Sequence, residues 1–352
     1  MTIAPAPKTN PRTAVVLFNL GGPQKEADIR PFLKNFFMDK AIIGLPLPLR
    51  WILANNIART RGKGAAREAY SKLGFKSPLL DNTRAQADAL ENLLRGQGLE
   101  ARCFVSMRYW HPMAPETVRL LSAYAPDRLV LLPLYPQYSS TTTGSSFQNF
   151  WATVQADDGA LHARWGDEMQ VGRSCCYPVM EGFVKASAEL IRTELAKAPA
   201  GTRLLLSAHG LPEKIIAAGD PYQAQCEQTA TAIVRELDIP GLDWQVCYQS
   251  RVGRLKWIGP SIDEALEKAA QDGKGVVVYP HAFVSEHVET LVELDMEYRH
   301  RAEELKLPYY GRARTVGTHP AFIAGLAKLV QDSLNGEQGR CAAKSCGQGG
   351  KK

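Results

Sequence analysis

Residues 275–298 read GVVVYPHAFVSEHVETLVELDMEY. Val276, Val277, Val278 and Tyr279 form an apolar run that stops at Pro280, as a buried strand stops at a turn signal. The stretch after it changes character: from Phe283 to Tyr298 it carries Glu286, Glu289, Glu293, Asp295 and Glu297, one histidine, His287, and no lysine or arginine. Glu289, Glu293 and Glu297 recur every fourth residue, while Val288, Leu291, Val292 and Met296 occupy another face. On an α-helix such an i, i+4, i+8 row drifts by about 40° per step, so it stays on one broad face. A local π-turn would align it better, and π-turns often mark functional sites. Like charges at i+4 cost a few tenths of a kcal/mol per pair, and helices normally relieve them with cations. The row is therefore either a solvated acidic face or a track for a divalent cation.

The same unit, an apolar run, a turn and an amphipathic stretch, recurs along the chain. TAVVLFNL (13–20) ends in GGP, ARCFVSMRY (101–109) in WHP and DRLVLLPLYP (127–136) in QYSSTTTGSS. TRLLLSAHG (202–210) ends in LP, WQVCYQS (244–250) in RVG, and GVVVYPHAF (275–283) in VSEHVET. Helical patterns such as PETVRLLSAYA (115–125) and SIDEALEKAAQ (261–271) lie between them. Runs without alternation mean strands buried on both faces, the βα rhythm of doubly wound parallel sheets. The expected fold is thus α/β, with two similar doubly wound lobes, each a parallel sheet flanked by helices. Residues 1–11 read as a disordered lead, 12–332 as the folded unit with a break between lobes at 145–200, about 320–334 as a C-terminal helix, and 335–352 as a Gly/Lys-rich flexible tail. No internal sequence repeat accompanies the two lobes.

The composition excludes several classes. The 352 residues are 45% hydrophobic and 22% charged, ordinary for a globular protein. A formal charge of +6 is modest, and no nucleic-acid motif appears. No run of 18 apolar residues spans a membrane, and the N-terminus MTIAPAPKTNPRT has no signal core. Seven cysteines, an odd count, point to reduced thiols and a cytoplasmic setting.

In doubly wound sheets chemistry sits at the carboxyl ends of strands. His209 closes one run there; it is either a turn-capping histidine or a functional one. His287 and Glu289 follow another run, and a His–carboxylate pair suits borderline divalent metals and proton transfer near neutral pH. No HExxH or CxxC pattern suggests a closed zinc site. NLGGP is not GxGxxG, and no phosphate-binding GxxxxGK[ST] occurs. The hydroxyl-rich YSSTTTGSS (138–146) is either an anion site or a polar turn. Residues 41–64, AIIGLPLPLRWILANNIARTRGKG, crowd apolar side chains broken by Pro46 and Pro48, with Arg59, Arg61, Lys63 and Arg67 close behind. They read as a buried helix with a basic end, or as an apolar lip beside cations that rests on an anionic membrane surface.

Taken in order, LFNLGGP (17–23), FLKNFFMD (32–39), MRYWHP (107–112), LYPQYSSTTTGSS (134–146), SAHGLP (207–212), YQSRVG (248–253) with Trp257, and SEHVETLVELD (285–295) resemble the ferrochelatase family from about residue 12 to 332. The resemblance implies a chelatase-like fold and an enzyme that inserts Fe2+ into protoporphyrin IX to form protohaem, the terminal step of haem biosynthesis. It implies His209, Glu289 and the neighbouring His287 as catalytic residues, with His209 and Glu289 as the metal contacts. It implies Glu293 and Glu297 as an acidic path, and Leu20, Arg61, Tyr70, Ser77, Tyr135, Ser250 and Trp257 as porphyrin-pocket residues. Whether His209 acts as a base or as a metal ligand, with Glu289 taking the protons, stays open. The expected partners are protoporphyrin IX and, through residues 41–64, the inner membrane surface.

The chain departs from the family pattern at three places. GFKSP (74–78) replaces a glycine-rich GGGSP, and Arg254 stands where proline is usual. Ser140 stands where members with a [2Fe–2S] cluster have cysteine, and the tail offers only Cys341 and Cys346. A cluster takes about four thiolates, and the adjacent Cys175 and Cys176 are poor joint ligands, so iron is expected as substrate alone. Two other classes compete: a cobalt or nickel chelatase acting on another tetrapyrrole, and a non-catalytic porphyrin or haem carrier. A carrier needs no acid row facing the ring. A two-lobed periplasmic ligand-binding module shares the architecture, but the absent signal core speaks against it.

Overall fold

The computed structural model describes residues 10–157, 163, 169–251 and 255–336. Two four-stranded sheets, all parallel, form its frame. The first contains β1 (Thr13–Asn19), β2 (Ala101–Met107), β3 (Arg128–Pro133) and β4 (Gln170–Arg173) in the order β2-β1-β3-β4. The second contains β5 (Arg203–His209), β6 (Trp244–Gln249), β7 (Val276–Pro280) and β8 (Tyr310–Arg312) in the order β6-β5-β7-β8. The two orders are the same topology written twice. The repeat invisible in the sequence is therefore present in the architecture.

The six apolar runs all become strands, and the reason is visible in their sides. In β1, Val15 and Leu17 face one core while Ala14, Val16 and Phe18 face another. In the second sheet, Leu204, Leu206, Val277 and Tyr279 face one way and Leu205, Val276 and Val278 the other. Helices cover both faces, so the central residues of these strands are mostly apolar on both sides. The strands β4 (QVGR) and β8 (YGR) were not legible as runs, because short edge strands have neither the length nor the continuous apolar face.

Between the sheets runs the helix Glu181–Leu195. Its Phe183 and Ala186 join the first lobe's core, and its Val184, Ala188 and Ile191 join the second's. The helix Pro320–Leu334 crosses back from the second sheet to pack with the first lobe through Phe322, Leu326 and Val330.

One expectation needs correction. Pro46 and Pro48 do not break the 41–64 segment; they start the helix Leu47–Lys63, Pro46 as its N-cap and Pro48 in its first turn. Proline is tolerated there because the first N–H groups have no helical acceptor. Only Ala54 and Ala58 of this helix are buried, so it is not the buried helix of the first alternative. Leu47, Leu49, Trp51 and Ile52 are each more than half exposed.

Candidate active site

Most of the sequence-predicted residues follow the carboxyl ends of strands, at the end of the molecule where both strand orders reverse. Leu20 follows β1 and Tyr135 follows β3; His209 ends β5; Ser250 follows β6; His287 and Glu289 follow β7. A doubly wound sheet opens its crevice at that switch point, because neighbouring connections leave in opposite directions.

His209 and Glu289 meet there, with His209 Nδ1 lying 3.1 Å from Glu289 Oε2. His287 Nε2 approaches the same oxygen at 3.7 Å, with its ring packed on Phe283 at 4.6 Å between centroids. Burial by itself would lower the His209 pKa, but the carboxylate of Glu289 outweighs it and holds the imidazole above its ordinary value. Burial pushes Glu289 the other way, and the two histidines override it, so Glu289 stays well below the usual carboxylate range. The site therefore pairs His209 with Glu289, each favouring the other's charged form, beside a second histidine. Gly210 is required next to it: a Cβ there would lie 3.0 Å from the Gln249 carbonyl and 3.3 Å from the Trp257 ring.

The segment Glu289–Glu297 is a π-helix, as the acid row favours. The row is not unpaired, however; its partners come from elsewhere in the fold. Glu293 accepts hydrogen bonds from the Ser250 N–H at 2.9 Å, the Ser250 hydroxyl at 2.7 Å and the Gln249 amide at 3.2 Å. Burial, and then the neighbouring Glu289, push its pKa up to about 7. Glu297 meets the Lys72 ammonium of the first lobe at 3.4 Å. Glu286 and Asp295 both pair with Arg312 and point to structure instead of to a cation path. Pairing by residues distant in sequence carries no i+4 signal, which is why the row looked bare.

Opposite lies an apolar wall of Leu20, Phe32, Tyr70 and Tyr109, against which Val288 of the second lobe packs. Tyr70 is buried and, with Glu289 adding to the effect of burial, its phenol stays neutral. Gly22 is needed beside it: a Cβ would stand 2.7 Å from Ser77 Oγ, so LFNLGGP and KSP abut only through glycine. Ser250 takes φ 62°, a left-handed conformation that aims its N–H at Glu293. Trp257 packs on Gly210. Two predicted pocket residues stand apart from this group. Arg61 is exposed with its guanidinium 5.7 Å from the Phe37 ring, and Tyr135 packs against the first lobe's Phe18–Phe150 cluster.

The hydroxyl-rich turn is a polar turn and not an anion site. Asp220 accepts from Ser139 Oγ, Ser140 N–H and Ser140 Oγ at 3.0, 2.7 and 2.7 Å, and Ser145 Oγ donates to the buried Asp39. The protein's own carboxylates fill the place an anion would take. Gln249, fully buried, escaped notice because an isolated glutamine has no pattern; it takes Ser207's hydroxyl at 2.8 Å and grips the Glu289 carbonyl at 3.1 Å. Among the described residues no group of three or more His, Cys, Asp or Glu side chains is arranged to hold a metal ion. Two donors, His209 and Glu289, suit a metal in transit. Arg254, Cys341 and Cys346 lie outside the described residues. Cys175 and Cys176 have their sulfurs 3.6 Å apart.

Comparison with known proteins gives one consistent result. The ferrochelatase family profile matches residues 12–334. Ferrochelatase of Caulobacter vibrioides is 51% identical, over 96% of this chain and 94% of its own. That of Phenylobacterium zucineum is 48% identical, over 96% and 99%, and that of Rickettsia bellii 46% identical, over 92% and 88%. Among solved structures, the sirohydrochlorin chelatase SirB from Bacillus subtilis subspecies spizizenii in complex with cobalt superposes with a TM-score of 0.53 at 12% identity, over 94% of this chain and 98% of that one. That likeness shows the chelatase fold.

Proposed function

The chain belongs to the ferrochelatase family, and from that premise we propose how its cleft inserts Fe2+ into protoporphyrin IX, giving protohaem and two protons. The observation that carries the reading is the contact of His209 Nδ1 with Glu289 Oε2 at 3.1 Å, at the ends of β5 and β7 and facing the Leu20–Tyr70 wall.

Metallation makes three demands. Two pyrrole N–H protons must leave, the ion must shed water, and the ring must bend so that its nitrogens can turn toward the metal. A cleft with an apolar wall on one lobe and a charged pair on the other grips a flat apolar ring from both sides and excludes water. Glu289 is anionic and supplies the first protein contact for the dication. In the absence of the ion, His209's proton balances that charge. An arriving dication takes over this role, so His209 releases its proton to solvent and is left as a neutral imidazole that can accept a pyrrole proton as that N–H is lost and pass it on in turn. Glu293, with its pKa at about 7, is poised to pass protons on to Glu297 and solvent. Leu20, Tyr70, Ser77, Ser250 and Trp257 line the ring's place; Arg61 and the basic end of its helix meet the propionates. Iron enters as substrate, and no step here needs an iron–sulfur cluster. Ser140 engages Asp220 in place of a thiolate.

The exposed Leu47, Leu49, Trp51 and Ile52, next to Arg59, Arg61 and Lys63, form a lip suited to an anionic bilayer surface, the natural reservoir of an apolar porphyrin. No helix among the described residues is long and apolar enough to cross a membrane, and the lip supports peripheral contact at the cytoplasmic face.

The test is anaerobic metallation of protoporphyrin IX with Fe2+ or Zn2+, followed by loss of porphyrin fluorescence. His209→Ala and Glu289→Gln should each lose about 100-fold or more in kcat while still binding porphyrin. Porphyrin binding without turnover by the unaltered protein would make it a carrier and end this reading.

A further inference from the structure

Arg312 sits on the short strand β8 with its side chain only 6% exposed. Its Nη1 donates to Glu286 Oε1 at 2.7 Å, its Nε to Asp295 Oδ1 at 2.8 Å, and its Nη2 to the second Asp295 oxygen. Glu286 Oε1 also accepts the Thr315 N–H at 2.9 Å. The two carboxylates bracket the reacting segment: Glu286 immediately precedes His287, and Asp295 follows Glu293 by two residues.

The first lobe holds the same segment from the other side. Asn82 donates to the Glu286 carbonyl at 2.9 Å. The buried Gln86 donates to the Val284 and Gly317 carbonyls, each at 2.9 Å, and accepts the Ser285 hydroxyl at 2.9 Å. The entry to the π-helix is thus fastened twice, while its body is fastened through Asp295 to Arg312 and through the Leu294 carbonyl to Tyr310, whose hydroxyl donates to it at 2.7 Å.

A π-helix is rare and intrinsically weak, and a relaxation to α-helical winding would rotate Glu289, Glu293 and Glu297 apart. A buried ion pair adds little net stability, but its fixed geometry can select one register. Only a planar guanidinium can span both carboxylates at once. We propose that Arg312 is a positioning residue for metal insertion: its fork locks the winding of the Glu289–Glu297 π-helix and so holds Glu289 in reach of His209. The inference rests on the proposed roles of that pair.

The experiment compares the full chain with Arg312→Lys, Arg312→Ala and the charge-neutral triple variant Glu286→Gln/Asp295→Asn/Arg312→Met. Each is assayed for Zn2+ insertion, porphyrin KM and melting temperature. Arg312→Lys and the neutral variant should lose about 10- to 100-fold in kcat, with porphyrin KM within about twofold, because misplacement by an ångström costs that much. Guanidinium at tens of millimolar should restore part of the kcat of Arg312→Ala and leave the unaltered enzyme unchanged. Wild-type kcat in Arg312→Lys or in the folded neutral variant overturns the proposal, as does guanidinium rescue of melting temperature without rescue of kcat. If Arg312→Ala does not fold, the other two variants decide. If the unaltered protein binds porphyrin but inserts no metal, the premise fails instead, and the two failures are distinct.

Discussion

At the scale of single residues, the site is a set of carboxylates pushed apart in acidity by their neighbours. Glu289 is held anionic by two histidines, while Glu293, four residues on, is raised to about 7 by burial and by Glu289. This separation fits the proposed division, Glu289 for the metal and Glu293 for the protons, and it sets a sign for pH. An acid whose pKa rises on folding binds its proton more tightly in the native state, so stability from that group is full below pH 4.5 and falls as pH rises to about 7. Glu293→Gln removes the dependence. Its stability relative to the unaltered protein should shift in its favour by up to about 3 kcal/mol between pH 4 and pH 8, whatever constant offset the lost Ser250 bonds impose. Denaturant titrations at the two pH values read it. The same variant should flatten the rise of kcat with pH near 7, measured by steady-state metallation over pH 6 to 9; an unchanged profile would remove Glu293 from the proton path.

At the scale of elements, close backbone approach decides how the helices pack. Gly182 opens the helix Glu181–Leu195, and a Cβ there would fall 2.1 Å from the Ala321 carbonyl of the helix Pro320–Leu334. Glycine-to-alanine within a helix ordinarily gains about 1 kcal/mol. Here the sign reverses, because the obstacle is backbone and cannot rotate away. Gly182→Ala should destabilise by about 3 kcal/mol or more, seen as a lower denaturation midpoint. Gly325 faces the flexible end of Met180 on the same seam, so Gly325→Ala should cost clearly less. The turn after β3 obeys the same logic of local partners. Removing the Asp220 carboxylate, by Asp220→Ala, leaves three Ser139 and Ser140 donors without it and should cost about 1–3 kcal/mol.

At the scale of the whole molecule, two copies of one strand order face each other. Each contributes its switch point, the first an apolar wall and the second the charges. The lip at Leu47–Lys63 stands outside this frame, with most of its apolar side chains facing solvent. Burying even two such side chains in a bilayer is worth several kcal/mol. Partition onto vesicles containing anionic lipid should therefore fall more than tenfold in Leu49→Glu/Ile52→Glu, followed by the Trp51 fluorescence shift. Turnover of a detergent-dispersed porphyrin should stay near that of the unaltered protein. Equal partition of the two proteins would take the membrane role from this helix.

What the sequence determined by itself is local and repetitive. Runs such as Val276–Tyr279, short, β-branched and closed by turn signals, read as strands buried on both faces, turns such as SAHGLP read as their ends, and an i+4 row of glutamates declares itself within nine residues. Those signals were enough for the α/β class and the two parallel sheets, and they put forward His209, His287, Glu289, Glu293 and Glu297 as the proposed site. The short edge strands β4 and β8 gave too few residues to show a pattern. Tertiary structure alone decided who partners whom. Lys72 with Glu297, Arg312 with Glu286 and Asp295, Gln249 with Glu289 and Glu293, and Asp220 with the Ser139–Ser140 turn join residues far apart in the chain. No periodicity links such pairs, because long-range contacts follow from how sheets and helices stack in space, and a single arginine or glutamine looks the same in the sequence whether it meets water or closes a buried site.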